Sequence, residues 1–334
     1  MDSTTLSDLK RIYEQKRRKA IQDAEIRKKE IYHKLPRLSE IDAELSKASL
    51  SSAMQILKSS QSSLTISNLK KISDTLQKEK IELLQKEGKT LEDLSPIFSC
   101  SKCKDTGYIE KNGKTEMCTC LKQEIFNIEY NKSNMGNLEK ENFSTFHLNV
   151  YSDEINPQKY KSNISPRENM QRIEKIAKNF ISHFDDPEQK NLIFMGNSGL
   201  GKTFLSNCIA NEILKLGKTV LYQTAPVMLN DIINCLFDKP NCNKNIIDNL
   251  LSANLLIIDD FGTESVNNMK FTEIFNILNT RLLNQNRKIT KTIISTNLNL
   301  QNIYSIYDER IASRIVGYYE ICKFFGDDIR FQKI

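Results

Sequence analysis

The C-terminal part of the sequence predicts an α/β fold in which a parallel sheet is flanked by helices on both faces. Short apolar runs at 191–196, 219–224, 255–261 and 291–298 alternate with amphipathic stretches. The first run leads through a glycine-rich turn at 196–203 straight into an amphipathic stretch. Because a strand, a glycine turn and a helix in this order form one α/β unit, residues 166–334 are expected to fold as one such domain.

Length and composition allow more than this one domain. The chain has 334 residues, of which 39% are hydrophobic, which is enough for two or three domains. Its net charge of +6 permits an acidic partner without requiring one. The apolar runs are too short to cross a bilayer and no signal-like leader is evident, so a cytoplasmic protein without a membrane partner is expected.

Residues 1–95 read as a helical region. They contain no Gly before Gly88 and a single proline, Pro36, which is expected to break the first helix. Apolar residues recur at spacings of three, four or seven among dense charges, so each helix carries one narrow apolar stripe. That stripe needs a partner surface. Either the helices close on each other as a hairpin or they dock on another protein, and the region is interpreted as partner-binding.

A cysteine module is predicted at residues 96–124. Cys100 and Cys103 form C-x₂-C, and after fourteen residues Cys118 and Cys120 form C-x-C. Two close pairs across a glycine-containing hairpin can present four thiolates to Zn²⁺ tetrahedrally, as zinc ribbons do. With no spare ligand the site is expected to be closed and structural. Residues 125–165 are interpreted as a linker, and the scattered cysteines as core or surface thiols: Cys208, Cys235, Cys242 and Cys322.

The turn at 196–203 matches G-x-x-x-x-G-K-[ST], the phosphate-binding loop, in the strand–turn–helix context that this motif requires. Its glycines let backbone N–H groups face the phosphates of ATP, at the positive end of the following helix. The lysine ammonium is expected on the β/γ oxygens and the threonine hydroxyl on Mg²⁺. The cofactor-binding residues are Gly196, Asn197, Ser198, Gly199, Leu200, Gly201, Lys202 and Thr203.

Acidic residues follow the run at 255–261, in the position of a Walker B motif. Asp259 is expected to hold Mg²⁺ and Asp260 to orient or deprotonate the attacking water. Asp is one methylene shorter than the Glu found in many related ATPases, so hydrolysis is expected to be slow. Glu264 is the alternative base.

The last predicted strand ends in polar residues, and Asn297 is the candidate for a sensor that holds water near the γ-phosphate. Beyond it, Arg310 and Arg314 lie four residues apart on one helical face. No acid stands four residues before Arg314, so its guanidinium is expected to be unpaired. It is therefore the candidate arginine finger for a neighbouring subunit, and Arg310 is the alternative. The remaining possibility is that both are ordinary surface arginines.

Four motifs in this order, "GNSGLGKT", "LLIIDDFGTE", "STN" and "ERIASRI", resemble the AAA+ ATPases that load the bacterial replicative helicase, the DnaC/DnaI type. The likeness covers residues 140–334. The charged helical N-terminus, the cysteine cluster and "NFSTFHLNVYS" resemble Gram-positive chromosomal or phage forms and extend it to nearly the whole chain.

The resemblance implies an AAA+ domain in an ATP-state homo-oligomer that grips the helicase through its N-terminal part and single-stranded DNA through its AAA+ part. It supports the roles given to six residues that match the motif positions of this group: Lys202, Thr203, Asp259, Asp260, Asn297 and Arg314. The stretch from Pro226 to Phe237 resembles helices that this group places along the DNA channel. Arg330 is a candidate second sensor whose role stays open, because no full helical lid is expected after it.

The leading hypothesis is therefore a helicase loader that binds ATP, Mg²⁺ and Zn²⁺ and whose ATPase activity is slow and DNA-stimulated. A transposition helper with a similar AAA+ core, acting on double-stranded DNA, is the alternative within the ATPases. A non-hydrolysing, ATP-switched nucleic-acid-binding protein is the alternative outside them.

Overall fold

The computed structural model of the chain describes residues 3–58, 63–128, 140–237, 245–264, 268–285 and 288–331. Cys242, one of the scattered cysteines, lies outside these ranges. The chain divides into two compact units, residues 2–116 and residues 117–334. Among the described helices, none combines the length and the apolar character needed to cross a membrane.

The N-terminal unit is mainly helical. It consists of α1 (Ser3–Lys34), α2 (Arg37–Lys58) and α3 (Ser63–Lys86), a 3₁₀ turn (Leu91–Leu94), and a hairpin of β1 (Tyr108–Lys111) and β2 (Lys114–Met117). The break expected at Pro36 is confirmed, since α1 ends just before it and α2 begins just after it.

Side chains on facing sides of these helices hold the unit together. Ile31, Leu38 and Leu84 form a buried apolar cluster. Asp42 accepts hydrogen bonds from Tyr32 Oη and Lys80 Nζ. Burial opposes ionisation of Asp42, but the bonds from Lys80 and Tyr32 outweigh it and lower the pKa of this carboxyl. The apolar stripes are thus partly used within the unit, while Ile26 on α1 stays 49% exposed.

The C-terminal unit is the predicted α/β domain. Its helices are α4 (Thr119–Phe126), α5 (Pro157–Tyr160), α6 (Pro166–Ser182), α7 (Lys202–Lys215), α8 (Ala225–Leu236), α9 (Ile246–Ser252), α10 (Asn268–Asn284), α11 (Leu300–Tyr307) and α12 (Glu309–Tyr318). Its strands are β3 (Asn191–Met195), β4 (Val220–Thr224), β5 (Leu255–Phe261), β6 (Lys291–Thr296) and β7 (Tyr319–Lys323). Short 3₁₀ turns occupy Leu148–Val150 and Ile329–Phe331.

All five strands are parallel, in the order β4-β5-β6-β3-β7. Two buried clusters, each containing residues of both strands and helices, pack helices on the sheet, so the predicted fold class is confirmed. The chain leaves β3 toward β4 at one edge and returns to β7 at the other. The carboxyl ends of β3, β5 and β6 therefore meet at a topological switch point, where α/β sheets bind ligands.

Part of the segment expected to be a linker packs on this domain. Phe143, Phe146, Leu148 and Val150 contact the cluster that contains the buried Tyr151. The hydroxyl of Tyr151 donates to the carbonyl of Leu200 in the glycine-rich loop. The apolar residues of this segment are spaced too irregularly to reveal a helix or strand, although they are numerous enough to be buried.

Helix α4 is fixed to one edge of the sheet by a side chain. The amide of Gln123 accepts from Val220 N at 2.7 Å and donates to Val220 O at 3.0 Å. Gln123 thereby occupies both backbone groups of a residue at the outer side of β4.

Candidate functional site

The glycine-rich loop lies between β3 and α7, at the switch point of the sheet. Gly196, Gly199 and Gly201 have φ angles of +150°, +76° and +86°, which side chains rarely adopt. A Cβ on Gly199 would lie 2.1 Å from the carboxylate of Asp328. The loop therefore requires glycine at these positions for its backbone conformation, and at Gly199 also because Asp328 of the same chain lies so close.

The ammonium of Lys202 lies at the centre of this loop. Its Nζ donates to Gly196 O at 2.7 Å, to Asn197 O at 2.8 Å and to Asn297 Oδ1 at 2.8 Å. Burial lowers the pKa of Lys202, the charges of Asp259 and Asp260 oppose this, and Arg330 adds to it. The loop lysine and the predicted sensor amide are thus in direct contact.

Asn297 bridges two parts of the loop. While its Oδ1 accepts from Lys202, its Nδ2 donates to Ser198 Oγ at 3.2 Å. The structure therefore brings Asn297 to the place that the sequence predicted, at the carboxyl end of β6.

Four donors surround the carboxylate of Asp259. Thr203 Oγ1 donates to its Oδ2 at 3.0 Å, and Tyr222 Oη donates to the same oxygen. Ser295 Oγ and the Asp260 N–H both donate to Oδ1. These donors fix the carboxylate in place beside the phosphate-binding loop. The pair Thr203 and Asp259 fits a Mg²⁺ site, since both offer oxygen ligands beside the phosphate-binding loop.

Asp260 is exposed, whereas Asp259 is buried among hydrogen-bond donors. It lies at a bulge of β5 with φ of +53°, and among the described residues nothing hydrogen-bonds its carboxylate. Partial burial and the charge of Asp259 raise its pKa, while Lys202 opposes the shift. A bulge can re-aim a side chain out of the strand register, which leaves this carboxylate available to water.

The carboxylate of Glu264, unlike that of Asp260, is not accessible to water. Its Oε2 accepts from Gly262 N at 2.9 Å and its Oε1 from Tyr307 Oη, and it is buried. Glu264 therefore holds the turn after β5 against α11, and the geometry favours Asp260 as the base.

The expectation of an unpaired guanidinium on Arg314 is wrong. Arg314 Nε donates to Asn279 Oδ1 at 2.9 Å, and the guanidinium lies 4.6 Å from the ring centroid of Phe275. Both partners belong to α10, so residues near Arg314 in sequence could not reveal them. Arg310 is exposed and its side chain has no described partner.

Arg330 pairs with Asp328 through Nε and Nη2, next to the loop. The N–H of Ile329 donates to Gly199 O at 2.9 Å, which ties this terminal segment to the phosphate-binding loop. The structure therefore places Arg330 near Lys202, as the pKa of Lys202 also indicates.

The four cysteines predicted as zinc ligands come together. The Sγ atoms of Cys100, Cys103, Cys118 and Cys120 all lie within 4.8 Å of one another. Tetrahedral Zn–S bonds of about 2.3 Å place the sulfurs about 3.8 Å apart, so the donor set fits Zn²⁺ with small adjustment.

Backbone donors support the first cysteine pair. The carboxylate of Asp105, which is buried, accepts from the N–H groups of Ser99 and Cys100 at 2.9 and 2.8 Å. Gly107 N donates to Cys103 Sγ at 3.4 Å. Sequence reasoning missed Asp105, because one acid among several charged residues gives no signal.

Comparison with known proteins identifies the family. Residues 160–333 match the family described as IstB-like ATP binding protein. The chain belongs to this family. Its members' description agrees with the loop geometry, so ATP binding is the activity that the family supports.

Curated relatives agree with the predicted resemblance and confirm it. The replicative helicase loader DnaC of Escherichia coli (strain K12) is 25% identical over 139 residues, which cover 42% of this chain and 55% of that protein. The chromosomal replication initiator protein DnaA of Buchnera aphidicola subsp. Baizongia pistaciae is 32% identical over 171 residues, covering 49% and 35%. The chain thus spans about half the length of the helicase-loader relatives that it matches.

A solved structure described as DnaI is similar at a TM-score of 0.45 and 20% identity, covering 58% of this chain and 92% of that chain.

Proposed function

We propose that this protein is an ATPase that loads a replicative DNA helicase onto single-stranded DNA in the cytoplasm. The observation that carries the proposal is the joined site at the switch point, where Lys202 contacts Asn297 and Thr203 contacts Asp259. Membership of the ATP-binding family and the similarity to DnaC support the same reading.

The roles of the residues follow from their surroundings. The loop 196–201 and Lys202 bind the phosphates, and Thr203 with Asp259 holds Mg²⁺, which neutralises charge on the phosphates when bound. Asp260 takes a proton from the attacking water, and Asn297 orients that water. Because Asp260 is one methylene shorter than the Glu found in many related ATPases, hydrolysis is expected to be slow, although its raised pKa favours its taking a proton from water.

Arg314 is proposed to act on the nucleotide of a neighbouring subunit. Because Asn279 and Phe275 hold its guanidinium on α10, Arg314 has to leave these partners to do so. In the proposed ATP-state oligomer it acts in trans, and turnover therefore depends on assembly. Zn²⁺ on the four cysteines has a structural role.

The helical N-terminal unit is the proposed helicase-binding part, and exposed Ile26 is a suitable probe of it. The test is co-purification of the protein with the replicative helicase of its host, in ATP and in ADP. Ile26→Ser is expected to weaken capture while ATP binding is kept. Ile155→Ser, which removes a 57% exposed isoleucine from the C-terminal unit, is the matched control.

Each alternative predicts a different result. A protein that captures no helicase but binds double-stranded DNA in an ATP-dependent way is the transposition helper. A protein that binds ATP and single-stranded DNA but shows no turnover with either is the non-hydrolysing switch. Helicase capture with DNA-stimulated turnover supports the loader.

A further inference from the structure

A groove of about 600 Å³ lies on the C-terminal unit, between α4 and the C-terminal ends of α9 and α10. It is at the opposite end of the sheet from the phosphate-binding loop, because β5 and β6 begin just after these helices end. No residue of the ATP site lines it. Grooves of this volume are large enough for one nucleotide.

Two lysines converge on one residue of this groove. Lys122 Nζ donates to Ser252 Oγ at 2.6 Å, and Lys288 Nζ donates to the carbonyl of Ser252 at 2.8 Å. Two ammonium groups bonded to one serine lie close together and repel each other. No carboxylate of the described residues forms an ion pair with Lys122, although Asp248 is among the lining residues.

The lysine side chains of this groove are suited to binding an anion. An ammonium carries three N–H donors, and Lys122 has Ser252 Oγ as its one described hydrogen-bond acceptor. A phosphate oxygen bound between the two lysines would accept from Lys122 and offset the repulsion. Phosphate is the natural candidate because its oxygens can accept several charge-assisted bonds at once.

The rest of the lining is apolar with amide groups at its margin. Met117, Ile125 and Leu251 contribute apolar surface, and Asn284 contributes an amide without a described partner. Inorganic phosphate or an acidic side chain would leave this surface unused. A sugar and base attached to the phosphate would cover it.

The groove is held in shape before any ligand binds. Gln123 fixes α4 to Val220 by two hydrogen bonds, and the ring of Phe126 lies 5.5 Å below Lys122 Nζ. A site whose side chains are already placed loses little freedom on binding.

We propose that this groove binds one nucleotide unit of a single-stranded nucleic acid, with its phosphate between Lys122 and Lys288 and its sugar and base on the apolar surface. The choice of a single-stranded nucleic acid as the polymer rests on the proposed function. It adds a contact outside the stretch at 226–237 that the resemblance assigns to DNA.

The first experiment measures binding of a fluorescein-labelled oligothymidylate by anisotropy at several salt concentrations, with Mg·ATP present. Lys122→Gln and Lys288→Gln are each expected to weaken binding about tenfold. The double variant should also flatten the plot of log affinity against log salt, by about 0.7 for each phosphate that the protein no longer neutralises. Lys175→Gln, an exposed lysine on α6, is the matched control and should match the unchanged protein.

The second experiment works without the polymer. Acetylation of lysines is followed by peptide mass spectrometry in the presence of thymidine 5′-monophosphate, thymidine or inorganic phosphate. Selective protection of Lys122 and Lys288 by the nucleotide, relative to Lys175, is expected.

The outcomes separate this proposal from the proposed function. Oligonucleotide binding that the double variant leaves unchanged, or equal protection by inorganic phosphate and nucleotide, overturns the groove assignment while DNA binding elsewhere can stand. Protection by the nucleotide in a protein that binds no oligonucleotide supports the groove and contradicts the DNA-binding part of the proposed function.

Discussion

Replacing Tyr222 by Phe tests how the carboxylate of Asp259 is held. Tyr222 is 1% exposed, and Phe preserves its packing while removing only the hydroxyl. That hydroxyl is one of four donors on Asp259, together with Thr203, Ser295 and the Asp260 N–H. The change therefore leaves one lone-pair position of a buried carboxylate without its donor.

The expected cost follows from this geometry. A hydrogen bond to a charged group contributes about 1.5–3 kcal/mol to folding. For a unit of about 200 residues, 1 kcal/mol corresponds to about 2–4 °C in Tm, so Tyr222→Phe should lower Tm by about 3–12 °C without nucleotide. Calorimetry of the purified protein measures this directly.

Tyr318→Phe is the matched control, because Tyr318 is 57% exposed and its loss of a hydroxyl should change stability by less than about 0.5 kcal/mol. Combining Tyr222→Phe with Asp259→Asn should give a coupling free energy of about 0.5–3 kcal/mol. If Tyr222→Phe melts together with Tyr318→Phe, the hydroxyl does not hold Asp259 and the reasoning fails.

Four further predictions concern both units. Lys202→Ala should abolish ATP binding in a titration calorimeter, because the ammonium that meets the phosphates is removed. Arg314→Ala should keep ATP binding and lose about 10³- to 10⁵-fold in turnover, and mixing it with Lys202→Ala protein should restore part of the activity. Elemental analysis should find one zinc per chain, and Cys103→Ser should lose it. Because Asp42 has a lowered pKa, its contribution to stability is present above the ordinary aspartate pKa of about 4 and is lost as pH falls through the lowered value. Asp42→Asn should remove that part of the acid dependence in circular dichroism melts.

Each of these four predictions has a result that would contradict it. Unchanged ATP affinity in Lys202→Ala would remove the loop from the site. A mixture that assembles but stays inactive would favour Arg310 as the trans-acting residue. Protein purified without chelator that contains no metal would rule out zinc. Identical acid melts for Asp42→Asn and the unchanged protein would show that Asp42 does not control the N-terminal unit.

The four short apolar runs predicted four strands correctly, because a buried parallel strand is apolar on both faces. The fifth strand, β7, was missed. Only Tyr319 and Cys322 of this strand are buried, and the exposed Glu320 and Lys323 give it the polarity of a loop, as an edge position allows. Composition signals buried strands better than strands at an edge.

The residues of the candidate site also divide into those that the sequence could predict and those that it could not. The loop residues and Asp259 follow from a contiguous motif, and their placement could be predicted. The donor from Tyr222 and the acceptor from Asn279 come from other elements, so they depend on the packing of the whole domain. The left-handed bulge that separates Asp260 from Asp259 is a backbone feature that residue types alone do not specify.

The attachment of Gln123 to Val220 bears on how this protein avoids self-association through its sheet. β4 ends the sheet, and an open outer strand offers unpaired N–H and C=O groups to any other extended chain. The amide of Gln123 satisfies both groups of Val220 as a strand would, yet a side chain cannot propagate pairing further. Replacing Gln123 would therefore be expected to show itself first as aggregation during expression rather than as lost nucleotide binding.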